Sequence, residues 1–97
     1  HKSIELNPEN AFSHNNLGII YMDGLGDAEE ALEYFEQAIE LDETYTLAYF
    51  NAGRASQMMG FTNDAAHYYQ MALDMNSITN ELDEDDIRER LHKLFEV

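Results

Sequence analysis

Residues 31–41 read ALEYFEQAIEL, and residues 65–75 repeat their pattern as AAHYYQMALDM. Five positions return with a spacing of 34 residues: Ala31, Phe35, Ala38, Ile39 and Leu41 correspond to Ala65, Tyr69, Ala72, Leu73 and Met75. A fixed period of this length is typical of stacked supersecondary units, none of which can bury its apolar face alone. The repeat therefore predicts a surface that is offered to partners rather than an enclosed catalytic centre.

A second match lies ahead of each of these stretches, because Asn16-Leu17-Gly18 returns 35 residues later as Asn51-Ala52-Gly53. Apolar residues at helical spacing predict four helices, over residues 10–23, 27–41, 45–59 and 63–75. The signals at their ends are Asp27 with Glu30 as a capping box, Thr44 and Thr62 as further N-caps, Gly60 as a left-handed stop, and Asn76-Ser77 as a break. The extra residue of the longer spacing is assigned to the turn Gly24-Leu25-Gly26.

The two ends of the chain are predicted to differ from the repeats. Residues 80–97 carry an acidic start, basic residues near the end, and four apolar residues at helical spacing: Ile87, Leu91, Leu94 and Phe95. This polarity suits the helix dipole and predicts one amphipathic helix that covers the last repeat. Residues 1–6 read as the end of a helix that stops before Pro8, so the chain is expected to be a fragment that begins inside a repeat.

These residues resemble the tetratricopeptide repeat, a helix–turn–helix unit of 34 residues. The family's Leu-Gly pair and following Tyr are matched by Leu17-Gly18 and Tyr21, and its small-aromatic-small positions by Ala31, Phe35 and Ala38 and by Ala65, Tyr69 and Ala72. The sequence departs from the family where His14 and Tyr49 replace the usual Trp. The resemblance implies an all-α solenoid of antiparallel helix pairs. It divides a single domain, 1–97, into the end of a truncated repeat (1–8), two repeats (11–45 and 46–79) and a capping helix (80–97).

Charge and composition exclude several function classes. The sequence has 20 acidic and 5 basic residues, and a net charge of -15 repels nucleic acid and anionic membranes. The predicted second helix, 27–41, carries Glu29, Glu30, Glu33, Glu36 and Glu40, whereas residues 11–22 carry no charged residue and residues 44–60 carry only Arg54. This favours a solvated outer helix over an acidic trap for a basic ligand. The chain has no cysteine and no apolar run long enough to span a membrane, so a soluble, cytoplasmic protein is expected.

The resemblance also implies a binding site, because the first helix of each family unit lines a concave groove. The residues that would line it are Phe12, Asn15, Asn16, Ile19, Met22 and Asp23 in the first unit, and Leu47, Phe50, Asn51, Arg54, Gln57 and Met58 in the second. The mixture is nearly uncharged and suits an extended or helical peptide of little charge. Asn16 and Asn51 share one repeat position and either hold peptide backbone or bond neighbouring helices. The family's carboxylate clamp is not expected, because Asn15 and Ile19 stand where it needs Lys and Asn.

No catalytic, metal or cofactor site is predicted. The four histidines (His1, His14, His67 and His92) lack ligand spacing, and no nucleophile–base pair or phosphate-binding glycine loop is found. The predicted function is therefore a non-catalytic, protein- or peptide-binding scaffold, with a monomer favoured. Two alternatives stay open: self-association through Ile4, Leu6 and Phe12, and a region attached to an enzyme outside the given sequence.

Overall fold

The computed structural model describes residues 8–95, and the predicted helix end over residues 1–6 lies outside them. Within the described range the chain forms five α-helices and one π-turn: α1 (Pro8–Ile19), the π-turn (Ile20–Gly24), α2 (Ala28–Leu41), α3 (Thr46–Met58), α4 (Thr62–Thr79) and α5 (Glu84–Lys93). Each helix packs chiefly against its neighbours in sequence, and α1 also touches α3. The result is two antiparallel pairs, α1–α2 and α3–α4, with α5 against α4, in a body of 46 × 31 × 22 Å. The predicted all-α arrangement of helix pairs is confirmed.

Each pair is closed by an aromatic ring that rests on a glycine of the partner helix. A Cβ atom added to Gly18 would lie 2.4 Å from the ring of Phe35, and one added to Gly53 would lie 2.6 Å from the ring of Tyr69. Both rings are fully buried, so neither can swing aside. The repeat positions singled out in the sequence are therefore the places where two helices approach most closely.

Small side chains continue this close packing along the stack. Ala31, Ala52 and Ala55 are completely buried in the core around Phe35, where α2 meets α3. Ile87 of α5 is completely buried in the core around Tyr69 and so closes the second pair. Leu91 and Leu94 pack beside Ile87 as the amphipathic pattern predicts, but Phe95, the fourth residue of that pattern, lies beyond the end of α5 and is 60% exposed.

Two predicted helix ends are confirmed. The Asp27 side chain caps α2 by accepting a hydrogen bond from the backbone N–H of Glu30 at 3.1 Å. The reciprocal half of the predicted capping box does not form, because the backbone N–H of Asp27 donates to the carbonyl of Tyr21 at 2.8 Å. Gly60 follows α3 with a φ of 83°, the left-handed geometry that glycine adopts without strain.

Two predicted N-caps are wrong. The residues that precede α3 and α4 are Tyr45 and Phe61, and neither caps its helix with a side chain. Thr44 instead donates its hydroxyl to Asp42 Oδ1 at 2.7 Å, and Thr62 is already the first residue of its helix. Each threonine lies one residue away from the N-cap position of its helix, Thr44 before it and Thr62 after it. A sequence pattern rarely fixes the end of a helix to within one residue.

The extra residue of the first unit is taken up by the π-turn rather than by the following loop. The backbone N–H of Leu25 donates to the carbonyl of Ile20, five residues earlier, at 3.1 Å. A π-turn is wider than an α-helical turn and accommodates one additional residue. The core therefore keeps its register although the first unit is longer than the second.

The fourth helix runs further than predicted, because α4 continues through Asn76-Ser77 to Thr79. The buried amide of Asn76 donates to the carbonyl of Leu82 and accepts from the N–H of the same residue, both at 2.8 Å. It thus fixes the following loop instead of competing with its own helix. Asn80, with a φ of 53°, ends α4, and the last helix begins at Glu84 rather than near residue 80.

Gly53→Ala should destabilise the protein by about 1–3 kcal/mol, because the new methyl group overlaps the ring of Tyr69. This exceeds the gain of about 0.5–1 kcal/mol that alanine brings to a helix interior. Gly24→Ala is the matched control, since its Cβ would meet nothing closer than Ile20 Cγ2 at 3.9 Å. Urea denaturation compares the two variants, and equal stabilities would contradict the ring-on-glycine contact.

Candidate functional site

Two buried asparagines join the first helices of the two pairs. Asn51 of α3 donates its amide Nδ2 to Oδ1 of Asn15 in α1 at 3.0 Å, and both side chains are buried. Amide groups that are buried away from water require such partners. Of the two roles left open for Asn51, the structure shows the bond between helices. Asn16, at the equivalent repeat position, is exposed.

Arg54 extends the hydrogen-bonded chain from the buried Asn51 to the protein surface. Its guanidinium donates to Asn51 Oδ1 at 3.3 Å and to Asp23 Oδ1 at 3.2 Å, so it connects α3 with the π-turn. The Arg54 side chain is 29% exposed and that of Asp23 is 51% exposed. Ion pairs this open contribute at most about 1 kcal/mol. The guanidinium is therefore available to a ligand at modest energetic cost.

The predicted groove residues divide into a buried layer and an exposed one. Asn15, Asn51 and Met22 are buried, so they support the surface from beneath and cannot line it. Ile19 is half-buried against the first core. The other predicted side chains are at least partly accessible and form what we call the groove face: Phe12, Asn16, Asp23, Leu47, Phe50, Arg54, Gln57 and Met58.

Helix α5 adds a wall to this face. A cleft of about 410 Å³ lies between α3 and α5, lined by Phe50, Gln57, Asp86, Glu89, Arg90 and Lys93. The guanidinium of Arg90 lies 5.3 Å from the centre of the Phe50 ring, within the range of a cation–π contact. Sequence reasoning treated α5 only as a cap and missed these side chains. The signal was a second stripe on this helix, because Asp86, Arg90 and Lys93 recur at helical spacing beside the apolar one.

The cleft is polar and charged rather than neutral. The Tyr69 hydroxyl donates to Gln57 Oε1 at 2.8 Å, and Lys93 pairs with Glu89 at 3.4 Å. Burial raises the pKa of Tyr69, while the nearby guanidinium groups of Arg90 and Arg54 oppose this rise. The sequence predicts a nearly uncharged groove lining. The side chains that α5 contributes to this cleft are charged, so the prediction does not hold for them.

Metal ligation finds no support among the described residues, since no group of three or more His, Asp or Glu side chains within 8–95 is placed to hold an ion. His14 uses its Nδ1 in a 2.7 Å hydrogen bond with the carbonyl of Asn10. None of the helices in the described part combines the length and the apolar character that crossing a bilayer demands.

Comparison with known proteins agrees with this architecture. The family model described as tetratricopeptide repeat matches residues 10–77, which is more than half of the chain. The chain therefore belongs to the tetratricopeptide repeat family, whose members are generally protein-interaction modules. It is also similar to an uncharacterized protein of Methanocaldococcus jannaschii, with 48% identity over 40 residues. That match covers 41% of this chain and 46% of the relative.

Alkaline conditions should unfold the protein through its tyrosines. Burial raises the pKa of Tyr49, Tyr68 and Tyr69, and a hydrogen bond to Glu36 raises that of Tyr68 further. In the unfolded chain these groups ionise near their ordinary pKa of about 10. Their contribution to stability is fully present below that pH and is lost as the pH rises through the higher folded values.

The measurement is a series of urea denaturations at stepwise rising pH, with phenolate absorbance followed in parallel. The midpoint of the alkaline loss of stability should fall above about pH 10, and Tyr68→Phe should reduce the slope. Full phenolate absorbance with intact helical circular dichroism would contradict the assignment.

Proposed function

We propose that this chain is a protein- or peptide-binding module whose ligand lies across the groove face and undergoes no chemistry there. The observation that carries the proposal is the side-chain link from Asn15 through Asn51 and Arg54 to Asp23, with distances of 3.0, 3.3 and 3.2 Å. The buried bond between Asn15 and Asn51 joins α1 to α3, and the partly exposed pair of Arg54 and Asp23 adds a weaker contact to the π-turn. A surface that is ordered before binding loses less conformational entropy when a ligand arrives.

The groove face offers anchors of two kinds to a peptide. Phe12 and Met58 are 57% and 54% exposed and provide apolar contact. Asn16 and Gln57 provide amide groups that can donate to and accept from peptide backbone. An extended or helical segment of little net charge, with apolar side chains at intervals, satisfies both kinds of anchor.

The test is a titration of ¹⁵N-labelled protein with pools of uncharged peptides that contain leucine, phenylalanine or methionine. Amide shifts should concentrate around Phe12, Asn16, Arg54 and Met58. A peptide recovered from the pool should then bind the double variant Phe12→Ala/Met58→Ala at least about tenfold more weakly, because both apolar anchors are lost.

Ile78→Ala is the control, since Ile78 is a strongly exposed apolar residue on α4, away from the groove face. It should bind the recovered peptide like the unmodified protein. Amide shifts confined to α2 and α4 would refute the assignment of the groove.

Self-association is a second candidate, because α1 and the π-turn after it expose three large apolar side chains, Phe12, Leu17 and Ile20. Exposed apolar surface of this kind can pair between copies. Sedimentation equilibrium separates the two functions: Leu17→Ser should abolish any dimer and leave peptide binding unchanged. A protein that stays monomeric at high concentration would exclude this candidate.

A further inference from the structure

A second cleft lies on the side of the molecule formed by α2 and the turn between α3 and α4. It has a volume of about 570 Å³ and is lined by Leu32, Met59 and Phe61 and by Glu29, Glu33 and Glu36. We call it the acidic cleft. It shares no residue with the groove face.

An aromatic residue, Phe61, lies at the edge of the acidic cleft. Phe61 is 53% exposed although it lies in a turn that is closed by hydrogen bonds. Its backbone N–H donates to the carbonyl of Ser56 at 2.9 Å, and that of Gly60 donates to the carbonyl of Gln57 at 3.0 Å. The turn therefore fixes the backbone from which the Phe61 ring projects beside Leu32 and Met59. A backbone that is ordered before binding lowers the entropic cost of contact with a ligand.

The carboxylates of the cleft have no Lys or Arg partner within the described residues. Glu29, Glu33 and Glu36 follow one another at i, i+4 and i+7 along α2, and no Lys or Arg of residues 8–95 forms an ion pair with them. Glu36 is held in place because its Oε2 accepts a 2.7 Å hydrogen bond from the Tyr68 hydroxyl. No Lys or Arg of the described residues thus neutralises the charges beside the apolar floor, and a hydrogen bond holds one of them, Glu36, in place.

This combination selects one kind of occupant. A lysine or arginine side chain can lay its aliphatic stem along Leu32 and Met59 while its cationic end reaches Glu33 or Glu36. An arginine can also stack on the Phe61 ring. We propose that the acidic cleft is a docking site for a basic, amphipathic segment of another protein, with Lys or Arg beside the glutamates and an apolar side chain against Phe61.

The test uses a synthetic helical peptide of lysine, arginine and leucine, together with a charge-reversed version in which glutamate replaces every basic residue. Isothermal titration should show binding of the basic peptide alone, with an affinity that falls as salt is added. Amide shifts should appear at Leu32, Met59 and Phe61 and not at Phe12 or Asn16. Shifts at Phe12 and Asn16 alone would place the peptide on the groove face and overturn the proposal.

Variants separate a defined site from general attraction to an acidic protein. Glu29→Gln/Glu33→Gln removes two cleft charges and should weaken binding by about threefold or more, as the loss of two partly exposed charge contacts implies. Glu40→Gln/Glu43→Gln removes the same charge from exposed positions outside the cleft and should have a smaller effect. Equal losses in the two double variants would overturn the proposal.

Phe61→Ala tests the apolar contribution independently of charge. It should weaken binding by about tenfold, because an aromatic anchor is lost from the edge of the site. Leu25→Ala is its control, since Leu25 is also strongly exposed but lies in the loop before α2. Circular dichroism verifies that all variants are folded, and unchanged binding by folded Phe61→Ala would refute the site.

Discussion

The contact between an aromatic ring and a glycine is the constraint on which the rest of the structure depends. Phe35 rests on Gly18 in the first pair and Tyr69 rests on Gly53 in the second, with no room for even one methyl group between them. Because no side chain separates each ring from the glycine backbone, the two helices of a pair pack tightly against each other. The side-chain bond between Asn15 and Asn51 then joins one pair to the next.

The repeat made the fold predictable, because the same physical contact must be encoded twice. Gly18 and Gly53, with their aromatic partners, mark that contact directly in the sequence. Local end signals were less informative. Thr44 and Thr62 each have the chemistry of a cap but lie one residue from the position at which a cap acts. Asn76 predicts the end of a helix, because an asparagine side chain often hydrogen-bonds to nearby backbone groups in place of the helical bonds. Here its side chain bonds instead to Leu82, in the loop beyond its own helix.

The candidate site was predictable only in part, for a similar reason. The resemblance to the tetratricopeptide repeat implies which side of α1 and α3 would face a groove, and it therefore singled out Phe12, Arg54 and Met58. It does not reveal how deep a residue lies beneath that side, so Asn15 was expected at the surface. It also carries no information about α5, which belongs to no repeat and which places Arg90 over Phe50. How deeply a residue is buried and which residues surround it depend on how the helices pack against one another. The periodicity of the sequence does not encode this packing.

The uneven placement of charge has a consequence at long range. Helix α2 holds five glutamates and no basic residue, whereas α5 sets three basic residues, Arg88, Arg90 and Lys93, against four acidic ones. The molecule therefore carries a permanent dipole moment in addition to its net charge. When a charged molecule approaches within a few Debye lengths, its field exerts a torque on this dipole. The protein is therefore turned to present one face to that molecule before the two surfaces touch.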